Sequence, residues 1–600
     1  MIVPMKKYSF LVYHKEYEQF LKSLQELGVL HVIEKKLDDI ENEGLREKYS
    51  LLAELTKSIK FLDKREIDKT NSNTGADGLK ILAELNSHIE KYEKYTQDLV
   101  VVQKDLRIAE PWGNFSWEII DKLSDSGLKV RFFQAPSRKF EEEIKDNFFV
   151  QEINNLRGHV YFVLIQRGDE AIEIDAEEVS LPKASLSDLR KSETETIALR
   201  NETEVVFDEY AANFLGLLKQ TRDSIANELH LDKVKLYTRH EADNKLMVLE
   251  GWTPVDKQEE LNSFLDTRGV YFEVARPEIT EMPPIKLKNN KFARLFEPIG
   301  KLYTLPEYPE IDLTVFFAPF YMLFFGFCLG DAGYGLLIVI AAVYGLFKAQ
   351  DKYKPLLKLG IYLGIATTFM GIVGGTFFGI FLVDVDWPWL KSYQGYILDS
   401  DKLMIFALSL GYIQVLFGMF IKAANKAKMY GFKYSISQLG WNIIVMVSLP
   451  VYVLGRYEVI PIDIANNIAL ISLIIGGIPA LFYNTPGKNP LLNLGTGVWD
   501  TYQMASGLLG DVLSYIRLFA LGLSSAILGN VFNTLAMDLK PDIIIIGPLV
   551  MILILAFGHS LNFFMAALGS FVHPLRLTFV EFYKNAGFTG GGRGYSPFKN

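Results

Sequence analysis

The hydrophobic pattern changes character near residue 310. Before it, apolar positions come singly or in short alternations among Lys, Glu and Asp; after it they run together in stretches of about 20 residues. In the first part, residues 7–13 alternate as a strand, residues 16–27 place Phe20, Leu21, Leu24 and Leu27 on one helical face, and residues 29–33 read as a second strand. This is a small β-α-β unit. Leu45, Leu52 and Ile59 then recur with heptad spacing, with Leu55 and Leu62 filling the seam. After a polar break at 70–78, Leu82, Leu85, Ile89, Tyr92 and Leu99 share one face, and the two helices together predict an antiparallel coiled coil.

Pro111 and Gly113 stop the second of these helices. Strands are expected at 129–134 and 160–165 in a second lobe. Ser185 and Asp188 have capping-box spacing ahead of a long helix reaching about Leu229. Residues 248–252 and 270–274 read as strands that return to the first lobe. The expected fold is multi-domain: an N-terminal α+β arm over 1–310, then an all-α membrane domain over 311–600. Within the arm, 1–36 and 245–285 form a proximal lobe, 37–108 and 185–232 the coiled coil, and 109–184 a distal lobe.

The second part holds eight apolar segments, at 311–329, 333–348, 357–383, 402–421, 437–455, 466–484, 498–534 and 543–583. The last two are long enough to tilt. With a cytoplasmic arm, the inner loops hold Lys348, Lys352, Lys354, Lys358, Lys422, Lys426, Lys428, Lys433, Lys488, Lys584, Arg593 and Lys599, and the outer loops only Lys391, Lys402, Arg456 and Lys540. Twelve against four satisfies the positive-inside rule, places both ends of the chain inside, and makes Trp387 and Trp389 outer interfacial anchors.

Composition sharpens this division. A charged fraction of 22% beside a mean hydropathy of +0.14 averages two unlike parts. The net charge of −9 is modest for 600 residues and points to no nucleic-acid partner. The lone Cys328 sits in an apolar run as a small buried hydrophobe, so there is no disulfide framework and no thiol metal site. Residues 1–7 lead into a charged amphipathic stretch and not a signal-peptide core. The arm carries no phosphate-cradling loop, nucleophile elbow or His/Cys metal spacing, so it reads as mechanical and not catalytic, and no cofactor or metal is expected. His14, His31, His88, His159, His230 and His240 read as surface or satisfied core residues.

The informative residues are charges inside apolar segments. Arg517 lies between apolar turns, with Ser514, Leu521 and Ser524 on its face of an ideal helix and Gln503 and Asp511 further back. Arg576 follows His573 by one turn, with Glu581 nearer the inner end and Pro574 loosening the helix. Asn562 is about 40° from the Arg576 direction and His559 lies off to the side. Asp331, among glycines at a hairpin tip, reads as structural. The bland alternative is that both arginines lock helices together through acids or carbonyls.

These residues resemble a known family, the membrane subunit I, or subunit a, of V-type and A-type rotary ATPases. The resemblance rests on Ser514-Tyr515-Ile516-Arg517-Leu518, Leu575-Arg576-Leu577 with Glu581, Gly330-Asp331-Ala332-Gly333, Pro111-Trp112-Gly113 and Gly590-Gly591-Gly592 with Pro597-Phe598. It implies a non-catalytic stator subunit in a multi-pass cell membrane protein. In that role Arg517 faces the carboxylates of a rotating c/K ring of proteolipid subunits, with Arg576 beside it. A fixed guanidinium favours the ionised form of a passing carboxylate and blocks a cation leak between two half-channels. Peripheral stalk subunits of the E/G type at both lobes and a central-stalk d/C-type subunit are the implied partners, and ATP hydrolysis belongs to other chains. Eukaryotic relatives carry acids where this chain has Gln503 and Ala566, and a histidine at Ser525. Half-channel candidates here are therefore Gln503, Asp511, Ser514, Ser525, Asn562, His573 and Glu581. The competing class is a secondary transporter or channel with a regulatory domain, which predicts broken helices and an internal repeat.

Overall fold

The computed structural model describes residues 1–34, 43–65, 75–167, 174–278, 281–388, 391–395, 397, 399–487 and 489–599. Lys488, Trp389 and part of the polar break at 70–78 lie outside the described residues. In chain order the elements are β1 (Met5–Tyr13), α1 (Tyr17–Leu27), β2 (His31–Val32), α2 (Glu43–Asp63), α3 (Gly78–Ala109), α4 (Trp117–Asp125), β3 (Leu128–Pro136), β4 (Val150–Leu156), β5 (His159–Arg167) and β6 (Glu177–Glu178). There follow α5 (Leu186–Asn213), α6 (Leu215–Tyr237), β7 (Arg239–Glu241), β8 (Leu246–Pro254), α7 (Gln258–Arg268), β9 (Tyr271–Ala275) and α8 (Ala293–Lys301). Two compact units result: Met1–Ile33 with Arg239–Phe598, and Glu34–Thr238.

In the second unit, α2 packs chiefly on α6 and α3 on α5, and only lightly on each other. The heptad residues Leu55, Ile59, Leu62, Leu82 and Leu85 are buried, but the seam they fill also takes Phe207, Leu215 and Leu218 from the returning helices. Phe207 stands edge-on to Phe61 at 5.0 Å and Tyr92 at 5.6 Å, which draws three helices to one point. The four-stranded sheet beside it has order β4-β5-β3-β6. Phe133, Phe140 and Phe162 form its core. Ser185 caps α5 by accepting from the Asp188 amide at 3.2 Å.

The first unit opens with an antiparallel sheet of order β2-β8-β1-β9, with β7 on β8. The two strands read at 7–13 and 29–33 therefore do not pair with each other, because β8 lies between them. Phe10, Phe20 and Phe264 pack α1 and α7 against this sheet. Tyr8 donates to Asn262 Oδ1 at 2.7 Å, and burial pushes its hydroxyl up to about 12.

Apolar helices make up the rest: α9 (Thr314–Leu329), α10 (Ala332–Lys348), α11 (Lys354–Gly374), the short hairpin β10 (Thr376–Phe377) and β11 (Ile380–Phe381), α12 (Ser400–Tyr430), α13 (Ile436–Arg456), α14 (Ile462–Phe482), α15 (Pro490–Leu513), α16 (Ile516–Asp538) and α17 (Ile546–Arg576). Among the described residues, six helical stretches are long and apolar enough to cross a membrane: α11 to α14, α15 joined to α16, and α17 with its continuation to Ala586. The first two segments form shorter helices of 16 and 17 residues, because the chain reverses at Gly330 (φ 60°). The segment read at 357–383 also ends early, at Gly374, where Gly375 (φ 67°) turns the chain into the hairpin.

Phe207→Ala should remove about 3–5 kcal/mol of local stability. Hydrogen exchange of α2, α3 and α5 in the intact chain should accelerate accordingly, whereas the half-exposed Leu199→Ala on the same helix should leave them unchanged.

Candidate functional site

The run of apolar residues through Arg517 is two helices and not one. α15 ends at Leu513, and the Ser514 hydroxyl donates to Gly510 O at 3.0 Å. Tyr515, fully buried, donates to Gln414 Oε1 at 2.6 Å, and its ring occupies the space a Cβ on Gly411 would need. That anchor sits at the junction where α15 gives way to α16. Arg517 thus stands in the first turn of α16, while Gln503, Asp511 and Ser514 belong to α15, contrary to the single-helix expectation. Arg517 Nη1 is buried and has no hydrogen-bond partner among the described residues. Neither arginine forms a salt bridge within 4.0 Å among those residues.

α17 brings the second half. Pro574 lies inside the helix, and beyond Arg576 the backbone widens into a π-helical stretch, Leu577–Phe582, before a last turn at Tyr583–Ala586. Arg576 is exposed and His573 half-buried, whereas Glu581 is 2% exposed. Glu581 lies within hydrogen-bonding reach of Ser514 and within electrostatic reach of both guanidinium groups, and its Oε2 has no hydrogen-bond partner among the described residues. His573 feels both arginines as well. Five expected residues therefore form one group: Arg517, Arg576, Ser514, His573 and Glu581.

Asp511 closes that group on one side. It accepts from Lys584 Nζ at 3.1 Å and from Asn585 Nδ2 at 2.7 Å. Gln503 is exposed and lines a cavity of about 310 Å³ together with Lys422, Lys426, Asp500, Asp511 and Lys584. A second cavity, of about 340 Å³, lies at the other end of α12, walled by Leu403, Phe519, Gly522 and Ala526 with Asp384 and Asp399 at its rim.

Ser525 and Asn562 form a separate cluster. Asn562, 1% exposed, turns away from Arg576 and donates to Ser525 O at 2.9 Å and Tyr334 Oη at 3.1 Å. Tyr334 Oη meets His559 Nδ1 at 2.7 Å, and His559 Nε2 meets Asn533 Oδ1 at 3.0 Å. His559, set aside by helical angles, is thus a member, since it shares its interface with Asn562 one turn on. The available signal was three polar side chains, Asn533, His559 and Asn562, in apolar runs. Asp331 supports the cluster from beneath: its carboxylate accepts the N–H groups of Gly333, Tyr334, Phe378 and Gly379 at 2.7–3.1 Å. Its role is structural, capping α10 and pinning the hairpin. No group of three or more His, Cys, Asp or Glu among the described residues could hold a metal ion.

Comparison with known proteins matches residues 150–371 to the family described as the V-type ATPase 116 kDa subunit family. The V-type ATP synthase subunit I of Borreliella burgdorferi is 26% identical, covering 100% of this chain and 99% of its own. The A-type ATP synthase subunit I of Methanocaldococcus jannaschii is 27% identical over 80% of this chain and 72% of its own, and that of Archaeoglobus fulgidus 29% identical over 86% and 84%. The chain is similar to this family along its whole length. Subunit I relatives thus align across the residues before 310 and the apolar helices alike.

Asp331→Ala should leave four N–H groups without an acceptor and remove about 3 kcal/mol or more of stability. The thermal midpoint of the purified chain in detergent should fall, and Asp331→Asn, which keeps one acceptor oxygen, should fall less.

Proposed function

We propose that this chain is the non-catalytic stator subunit of a rotary ATPase and carries the path by which H⁺ or Na⁺ crosses the membrane. One observation carries the reading: a guanidinium nitrogen on α16 and a carboxylate oxygen on the π turn after α17, both buried and neither with a hydrogen-bond partner among the described residues, sit on neighbouring helices. Polar atoms left open in such a place need water, an ion or a group from another chain. The ring carboxylate of a proteolipid subunit is that group, and the charge of Arg517 holds it ionised as it passes.

The two cavities at opposite ends of α12 support separate half-channels. The lysine-bearing cavity with Gln503 and Asp511 serves the cytoplasmic side, following the positive-inside count, and the cavity rimmed by Asp384 and Asp399 the outer side. Eight membrane crossings follow if the short helices α9 and α10 span as a tightly packed pair. The arm then lies in the cytoplasm, receiving E/G-type peripheral stalks at its two lobes and facing the d/C-type subunit. ATP is hydrolysed or made elsewhere in the complex.

In vesicles holding the assembled complex, Arg517→Ala and Arg517→Lys should each reduce ATP-driven cation uptake by about a hundredfold or more, the scale on which one preorganised charged donor acts. Assembly should be retained by pull-down. Uptake at the native rate in either assembled variant disproves the reading.

A further inference from the structure

The segment 587–598 does more than follow the last helical turn. It leaves Ala586 at Gly587 (φ 65°) and runs extended along residues 285–310 to the antiparallel sheet that opens the first unit. Gly592 N donates to Leu305 O at 3.1 Å, Ile285 N to Arg593 O at 2.7 Å, Tyr595 N to Ile285 O at 2.9 Å and Phe598 N to Leu30 O at 2.7 Å. The Tyr595 hydroxyl donates to Val29 O at 2.6 Å, and Lys286 Nζ stands over its ring.

The knot in this strap is Glu310, 1% exposed. Its carboxylate accepts from Thr589 N at 2.7 Å, Thr589 Oγ1 at 2.6 Å, Gly590 N at 3.3 Å and Glu307 N at 2.8 Å. Its backbone carbonyl accepts from Lys428 Nζ on α12 at 3.2 Å, and the next amide, Ile311 N, donates to Asn425 Oδ1 at 3.2 Å. The buried carboxylate therefore joins the end of the α17 extension to the 305–311 turn, and the backbone at the same position ties that turn to α12. A side chain on Gly592 would collide with the Pro306 carbonyl, so the strap fits its track in one register.

We infer that the strap is a positioning element for the translocation site, with Glu310 and Gly592 its key residues. It fixes the depth and rotation of the helix end that carries Arg576 and Glu581 by tying it to the β-sheet lobe. The inference rests on the functional reading above for what the helix does, and on the contacts alone for what the strap holds. Hydrogen bonds to a charged group are strong enough that each one lost should lower the seated fraction about tenfold.

The test uses the full chain and the assembled complex. Spin labels at Glu259 and Val580, both outside the strap and the site, report the distance from the lobe to the helix end. In Glu310→Ala with Gly592→Val this distance distribution should broaden. In vesicles, cations moved per ATP hydrolysed should fall several-fold while hydrolysis continues. A disulfide between Ile285→Cys and Gly594→Cys, a bridged pair in the native strap, should restore both on oxidation and lose both on reduction. An unchanged distribution overturns the inference, and so does a broadened one with an unchanged ratio. Failure of the functional reading shows separately, as native transport in Arg517→Ala.

Discussion

A guanidinium among apolar helices keeps its charge, since it has no accessible neutral form, and the surroundings must be built to tolerate it. The chain answers with geometry. The Tyr515 anchor on Gln414 stands where α15 gives way to α16, and Arg517 begins a helix instead of sitting inside one. Beside this junction Ser514 meets Glu581, and Asp511 meets Lys584 and Asn585. Polar groups are thus gathered along one seam while the opposite faces stay apolar.

That seam requires close backbone approach elsewhere. Gly330 lies against Gly522, and Gly379 against Gly529, so α16 touches the α9–α10 turn and the hairpin with no side chain between. Asp331 satisfies the exposed amides of both turns, which would otherwise stand bare in an apolar region. The polar cluster of Tyr334, His559, Asn533 and Asn562 then fills the remaining gap between α10, α16 and α17. Small residues set the distances and buried polar residues set the register.

Much of this was legible in the residues. Heptad leucines, capping at Ser185, the strands at 129–134 and 160–165, and the two arginines were all written in local pattern. Partner choice was not, since Leu55 and Leu85 look the same whether they meet each other or Phe207. The separation of β1 from β2 by β8 depends on a pairing more than two hundred residues away along the chain. The break at Ser514 and Tyr515 carries neither proline nor glycine, and what stands beside it is a tertiary hydrogen bond from Tyr515 to Gln414. Phe377, Phe378, Ile380 and Phe381 extend an apolar run, yet the glycines among them turn it into a hairpin. His559 was misplaced because an angle on one ideal helix says nothing about which neighbour stands opposite.

The π-helical stretch Leu577–Phe582 bears on where this chain can vary in length. A π turn holds one more residue than an α turn, so loss of a single residue there would let the backbone relax into an ordinary α-helix. Everything beyond would keep its place, because the wide turn had absorbed the extra residue, whereas the same loss in the flanking α-helix would swing it by about 100° and shift it by about 1.5 Å. In that second case Lys584 would leave Asp511, and Thr589 would leave Glu310. The wide turn is thus the one place in this helix where a single residue can be lost without moving Lys584 from Asp511 or Thr589 from Glu310.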